Sequence, residues 1–147
     1  MIKLITLFLS IILLISLHGC SNIGNISQEE LQEITAKGEK SKIIVVDVFH
    51  NSCGSCKLID PVMEKLISEN VNNPDILFLK YDLSNPFTTI RSIKIAKSLG
   101  LEDIYKAQRF SGIVLFIDSK TKEVFDTLVA EYNIEKYNEV IQKSLKK

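Results

Sequence analysis

The sequence has no excess charge of either sign, because 18 lysine and arginine residues balance 18 aspartate and glutamate residues. Without a basic surplus the chain lacks the electrostatic footprint of a nucleic-acid-binding protein, and without an acidic surplus it lacks a solvating tail. Wholesale disorder is also excluded, since 46% of the residues are hydrophobic and 24% are charged. A length of 147 residues leaves room for one domain with a real core. Partners must therefore be inferred from local motifs.

The N-terminal segment has one charge, Lys3, and is almost wholly apolar from Leu4 to Leu17. A basic start before an apolar run of this length is typical of a secretory signal peptide. The run is short for a membrane-spanning helix, which needs roughly 20 apolar residues. We therefore predict that residues 1–19 are a signal peptide that directs export of the chain and is removed, while the alternative is an uncleaved N-terminal anchor.

The sequence that follows the apolar run, Leu17-His18-Gly19-Cys20, resembles the lipobox of bacterial lipoproteins. The resemblance implies lipidation of Cys20, with palmitate among the acyl chains, and a lipidated tether over residues 20–27. Residues 28–147 would then be a domain in the cell envelope that faces the periplasm. Ser21 after the cysteine favours the outer membrane, if the cell has one. The lipid makes the membrane an expected partner.

Hydrophobic periodicity in the remaining chain predicts the element order α-β-α-β-α-β-β-α. The predicted strands cover residues 43–49, 76–81, 113–117 and 123–129. Ser27 opens a capping box for a first helix that ends near Gly38, and a second helix runs from Cys53 to about Asn70. A third helix ends at Gly100, residues 101–110 add a further helical turn, and Asn133 caps the last helix. Helices between strands predict an α/β fold, with a mixed sheet of four to five strands flanked by helices on both faces.

A Cys-x-x-Cys motif, Cys53-Gly54-Ser55-Cys56, stands where the first predicted strand passes into a helix. Residues three apart on a helix have Cβ atoms about 5–6 Å apart, which is close to the span of a disulfide. Cys53 is expected at the helix N-terminus, where free N–H groups and the helix dipole favour a thiolate. Cys56 lies one turn inside and is suited to resolving a mixed disulfide. The motif predicts a pair that cycles between dithiol and disulfide.

The segment 46–57 resembles the active-site stretch of thioredoxins, with the same spacing of cysteines. Asp47 stands six residues before Cys53, where the family has a buried aspartate that helps to deprotonate the second cysteine. Pro61 stands five residues after Cys56, where the family has a helix-kinking proline. The resemblance covers most of residues 41–147. It implies a thioredoxin-like fold, no cofactor, and Cys53, Cys56 and Asp47 as catalytic residues.

Three departures from the thioredoxin pattern bear on how a substrate would bind. Ser52 replaces a tryptophan before the first cysteine, and Ser55 replaces a proline between the cysteines. Ser111 and Gly112 stand where the family has a cis-proline that faces the cysteines. We expect these last two residues, with Gly54 and Ser55, to form the substrate-binding part of the site. The segment before them is roughly a dozen residues longer than in thioredoxin and is predicted to form a lid or partner surface.

The leading functional hypothesis is an extracytoplasmic thiol–disulfide oxidoreductase that exchanges disulfides with exported proteins. Reduction is favoured over oxidation because Asp47 and Lys57 resemble thioredoxin rather than the strong oxidants. A reductase outside the cytoplasm would need a membrane electron donor. A purely structural disulfide is a poorer explanation, since closing so small a loop constrains the unfolded chain little.

Two other functions stay open on the sequence alone. His50, Cys53 and Cys56 offer three donors suited to copper, as in a copper-binding or assembly chaperone on the same fold. A structural zinc site needs four ligands, and haem attachment needs a histidine where Lys57 stands. The remaining alternative is a catalytically weak thioredoxin-like module that mainly binds a partner.

Overall fold

The computed structural model describes residues 26–146. Residues 26–146 form five helices and four strands in the predicted order, and the short helix before the third strand is one of the five. They are α1 (Gln28–Lys40), β1 (Ile43–Phe49), α2 (Gly54–Glu69), β2 (Ile76–Asp82), α3 (Pro86–Ser98), α4 (Glu102–Ala107), β3 (Ile113–Asp118), β4 (Val124–Val129) and α5 (Ile134–Leu145). Among the described residues, no helix is both long enough and apolar enough to cross a bilayer.

The four strands form one mixed sheet in the order β2-β1-β3-β4. β1 pairs in parallel with β2 and antiparallel with β3, and β3 pairs antiparallel with β4. The prediction of a mixed sheet with helices on both faces is confirmed. β1 is central because its β-branched run is buried on both faces, as the lack of polar alternation predicts.

Alternate residues of β1 enter two separate cores, one on each face of the sheet. Ile44 and Val46 pack toward α1, α3 and α4, and Ile43 and Val45 pack toward α2 and α5. Buried members of the first core include Leu77, Tyr81, Ile95, Ala96, Leu99, Leu101 and Tyr105. Buried members of the second include Ile59, Met63, Leu66, Phe116, Tyr137 and Ile141. The described fold opens with Ile26, which is itself buried in the first core.

α1 ends at Lys40, two residues beyond Gly38, near which the sequence predicts its end. Gly38 is buried where the helix passes over the first core, and a Cβ atom there would lie 2.3 Å from Leu99 Cδ2. The glycine therefore permits close packing and does not end the helix. The start of α1 is as predicted, since Ser27 Oγ accepts a hydrogen bond from the Glu30 N–H.

The segment between β2 and β3 folds into two helices, as the sequence predicts. Asn85 caps α3 by accepting hydrogen bonds from the N–H groups of Phe87 and Thr88. Gly100, with a φ of 72°, separates α3 from the six-residue α4. Tyr105 of α4 packs on Tyr81 of β2 with ring centroids 4.0 Å apart. This contact packs α4 against the first core.

Candidate active site

The two cysteines of the motif lie at the junction of β1 and α2. Cys53 is the N-cap of α2, and its Sγ accepts a hydrogen bond from the Cys56 N–H at 3.1 Å. A disulfide joins Cys53 and Cys56, with Cα atoms 5.3 Å apart. Cys53 is half-buried and Cys56 is 1% exposed. The sulfur that another protein can reach is therefore that of Cys53.

The surroundings of Cys53 favour a negative charge on its sulfur once the disulfide is reduced. The sulfur sits at the positive end of a 16-residue helix, and a backbone N–H already points at it. The first turn of α2 contains no acidic residue that would oppose this charge. Both effects stabilise a thiolate relative to a thiol.

Gly112 brings the backbone before β3 directly against the cysteine pair. Its N–H donates to Val48 O at 2.8 Å, and its carbonyl accepts from the Ala130 N–H at 2.9 Å. A Cβ atom at this position would lie 3.4 Å from Cys53 Sγ and 3.1 Å from Ser55 Cβ. The φ of 79° favours glycine as well. The close approach therefore depends on a residue without a side chain.

The residues predicted to bind substrate lie around this contact. Gly54 is exposed, with open space where its Cβ would be, and Ser55 faces Gly112. Ser111 is half-buried beside Gly112. No peptide bond of residues 26–146 is cis, so Ser111-Gly112 meets the cysteines through a trans bond, unlike the family's cis-proline.

Asp47 is buried on the face of the sheet that α2 covers, as its apolar neighbours predict. Its side chain is 2% exposed, and neither carboxylate oxygen has a hydrogen-bond partner. Burial raises the pKa of Asp47 to about 6, the Lys80 ammonium opposes this rise, and the negative charges of Asp60 and Asp82 add to it. A carboxyl with this pKa can both accept and release a proton near neutral pH.

His50 belongs to the loop before the cysteines rather than to a metal-binding cluster. Its Nδ1 accepts a hydrogen bond from the Ser52 N–H at 3.1 Å and lies 2.8 Å from Ser52 Oγ. Among residues 26–146, no three His, Cys, Asp or Glu side chains converge on a point where they could hold a metal ion. The alternative donor set of His50, Cys53 and Cys56 is therefore not assembled. Cys20, the predicted lipidation site, lies outside the described residues.

Sequence reasoning missed an ion pair beside Asp47. Lys80 of β2 is the register partner of Asp47, and its Nζ donates to Asp60 Oδ1 of α2 at 2.6 Å. The same Nζ lies 4.0 Å from the centroid of the Phe49 ring. A lysine inside the otherwise apolar run Ile76–Tyr81 was the signal that could have revealed it, because a charge set among apolar side chains is favourable when an opposite charge pairs with it.

Comparison with known proteins identifies the family. The thioredoxin family model matches residues 22–99, which is more than half of the chain. This chain belongs to the thioredoxin family. A thioredoxin from Coprinus comatus is 31% identical over 78 residues, which cover 53% of this chain and 69% of that protein. The predictions of the family and of a thioredoxin-like fold are confirmed.

Two further relatives are matched only over part of their length. A chloroplastic F-type thioredoxin from Pisum sativum is 32% identical over 66% of this chain and 47% of its own length. A peptide-N(4)-(N-acetyl-beta-glucosaminyl)asparagine amidase from Caenorhabditis briggsae is 38% identical over 44% of this chain. This chain spans about half of the pea thioredoxin and a tenth of the amidase.

Proposed function

We propose that this thioredoxin-family protein is a thiol–disulfide oxidoreductase that reduces disulfides of exported proteins. The observation that carries the proposal is the Cys53–Cys56 disulfide at the N-terminus of α2, with Cys53 accessible and Cys56 buried. A disulfide with one reachable sulfur and one protected sulfur suits sequential attack and resolution.

The reaction begins on the reduced protein, when the Cys53 thiolate attacks one sulfur of a substrate disulfide. The substrate S–S bond breaks, a mixed disulfide forms with Cys53, and one substrate thiolate leaves and takes up a proton. Cys56 then loses its proton to the Asp47 carboxylate and attacks Cys53 Sγ. The bond between Cys53 and the substrate breaks, the second substrate sulfur leaves as a thiolate and takes up a proton, and the protein is left with its Cys53–Cys56 disulfide. Two electrons pass from the protein dithiol to the substrate.

Exposed apolar side chains near the cysteines support a protein as the substrate. Phe110, two residues before Gly112, is 75% exposed, and Val129, beside the Ala130 N–H that Gly112 binds, is 65% exposed. Patches of exposed apolar side chains that polar residues surround are typical of surfaces that bind other proteins. A substrate polypeptide laid across Gly112 would contact them as its disulfide reached Cys53.

Export and lipid attachment are part of the proposal and depend on the N-terminal sequence. The apolar run and the Leu17-His18-Gly19-Cys20 sequence support anchoring through Cys20. An enzyme outside the cytoplasm that reduces its substrates must be reduced again, so a membrane protein with a reactive dithiol is the expected electron donor. A Cys20→Ser variant should lose incorporated palmitate and appear in the soluble fraction, whereas retention of the palmitate label would contradict lipidation at this residue.

The exchange reaction is tested by insulin reduction with dithiothreitol as the electron source. The wild-type chain should accelerate precipitation of the insulin B chain, and Cys53→Ser should abolish the acceleration. Cys56→Ser should instead accumulate a mixed disulfide with insulin, visible on a non-reducing gel. Wild-type activity no higher than that of Cys53→Ser would contradict the assignment.

The direction of electron flow is tested by equilibrating the Cys53–Cys56 pair with glutathione. A reductase should have a reduction potential near the thioredoxin value of about −270 mV, and a strong oxidant one near −120 mV. A value above about −150 mV would contradict a reducing role and leave exchange itself intact.

A further inference from the structure

A small cavity lies between α2 and β2, and Asp47 is among the residues that line it. Its volume is about 140 Å³, and its lining includes Asp47, Asp60, Met63, Phe78 and Lys80. The cavity is large enough for a few water molecules, each of which occupies about 30 Å³ in the liquid. Asp47 therefore borders this cavity, while both of its carboxylate oxygens stay buried.

The Lys80 ammonium lies beside this cavity and has two carboxylates within its reach. Lys80 and Asp47 are register partners on neighbouring parallel strands, which lie about 4.8 Å apart. The flexible four-carbon side chain could pair with Asp47, yet its Nζ binds Asp60 at 2.6 Å. The Phe49 ring adds a second contact that holds the ammonium at the edge of the cavity. Asp47 is left without a hydrogen bond.

We propose that Asp60 is a positioning residue that holds the Lys80 ammonium on the α2 side of the cavity, so that Asp47 stays unpaired and able to take a proton. Without the Asp60 charge, the Lys80 side chain moves toward Asp47 and stabilises its ionised carboxylate. The inference rests on the proposed exchange reaction, because a proton acceptor for Cys56 must be able to gain and lose its proton. Asp60 acts only through Lys80 and touches no reacting atom.

None of the other charged or titratable groups around Asp47 is a cation that could pair with its carboxylate. The titratable and charged groups that surround it are Asp60 and Glu64 of α2, Lys80 and Asp82 of β2, and Tyr137 of α5. The hydroxyl of Tyr137 donates to Glu131 O at 2.8 Å. The Asp82 carboxylate accepts from the Ser84 N–H at 2.8 Å. On β3 the register partner of Asp47 is the apolar Val114. Lys80 is therefore the only cation in this set.

The test is a titration of the Asp47 carboxyl carbon by NMR in the oxidised full-length chain. Asp60→Asn should lower the titration midpoint of Asp47 by roughly one pH unit, the effect of a newly adjacent cation. Asp60→Glu, which keeps the charge, should stay close to the wild type. Asp75→Asn is the matched control, because Asp75 forms an ion pair with Lys42 of similar exposure at the opposite end of β1.

A second set of variants, which also lack the Lys80 ammonium, separates the effect of Lys80 from the direct repulsion between the Asp47 and Asp60 carboxylates. In a Lys80→Met chain, Asp60→Asn should shift the Asp47 midpoint by less than half as much as it does in the wild type. An unchanged midpoint in Asp60→Asn, or an equal shift in the Lys80→Met background, would overturn the inference. The oxidised protein cannot reduce a disulfide, so this result is independent of insulin reduction, which decides the proposed function.

Discussion

The two faces of the sheet differ in what they bury. The face under α1, α3 and α4 is covered by apolar side chains such as Ile44, Val46 and Leu101. The face under α2 and α5 has the same apolar pattern but adds Asp47, a carboxyl without a partner. Removing a carboxylate from water without a hydrogen bond is costly. The comparison shows that the two faces share an apolar pattern, while the face under α2 and α5 also contains a buried carboxyl whose ionised form burial disfavours.

The largest effect on stability is expected on the face under α1, α3 and α4. Leu101→Ala removes a fully buried side chain and leaves a cavity, which should lower the free energy of unfolding by about 2–5 kcal/mol. Urea denaturation at pH 4 and at pH 8 measures this loss. The loss should be equal at the two pH values, and a loss that depends on pH would break the distinction between the two faces.

Asp47→Asn should change the pH dependence of stability on the other face. The pKa of Asp47 is about 6 in the folded protein and 3.8 in the unfolded chain. The folded state therefore binds more protons than the unfolded state between these values, and the wild type loses stability as the pH rises through this window. Relative to Asp47→Asn, it should lose about 3 kcal/mol between pH 3.5 and pH 8. If the free energy of unfolding changed with pH in the same way in the two proteins, burial would not destabilise the ionised Asp47 carboxylate.

A smaller effect is expected at Gly112, where the backbone meets the cysteine pair. Gly112→Ala places a Cβ 3.1 Å from Ser55 Cβ at a positive φ, which should cost about 1–2 kcal/mol. The same change should slow insulin reduction, because the added methyl crowds Cys53 Sγ. Chemical denaturation and the insulin assay measure the two effects.

The smallest effect is expected for Gly54→Ala, which is the matched control for Gly112→Ala. A Cβ at Gly54 meets nothing within 4 Å, and alanine is the better helix former by about 1 kcal/mol. This variant should be as stable as the wild type or slightly more so. A loss as large as that of Gly112→Ala would show that any methyl group near the motif is destabilising and would remove the special role of Gly112.

Much of the fold could be predicted because its signals are local. The β-branched run of β1, the caps Ser27 and Asn133, and the apolar spacing in α2 each act over a few residues, and the structure confirms the elements they predict. The role of Gly38 in packing could not be predicted, because a glycine at a helix end and a glycine under a crossing side chain look alike in sequence. Only the packing of Leu99 on α1 distinguishes them.

The candidate site was predictable in its cysteines and only partly in its surroundings. The three-residue spacing places Cys53 and Cys56 within disulfide reach, and the apolar neighbours of Asp47 predict its burial. The catalytic roles of these residues stay predictions. The pairing of Lys80 with Asp60 could not be read from the sequence, because it depends on how α2 lies across β2.

The sequence by itself determined which segments form helices and strands and that two thiols lie one helical turn apart, because these depend on intervals of two to four residues. The tertiary structure decided which distant side chains meet there. Sheet register sets Lys80 beside Asp47, and the hydrogen bonds of Gly112 to β1 and to Ala130 bring its backbone against Cys53. Such contacts follow from the packing of whole elements, so no local pattern encodes them.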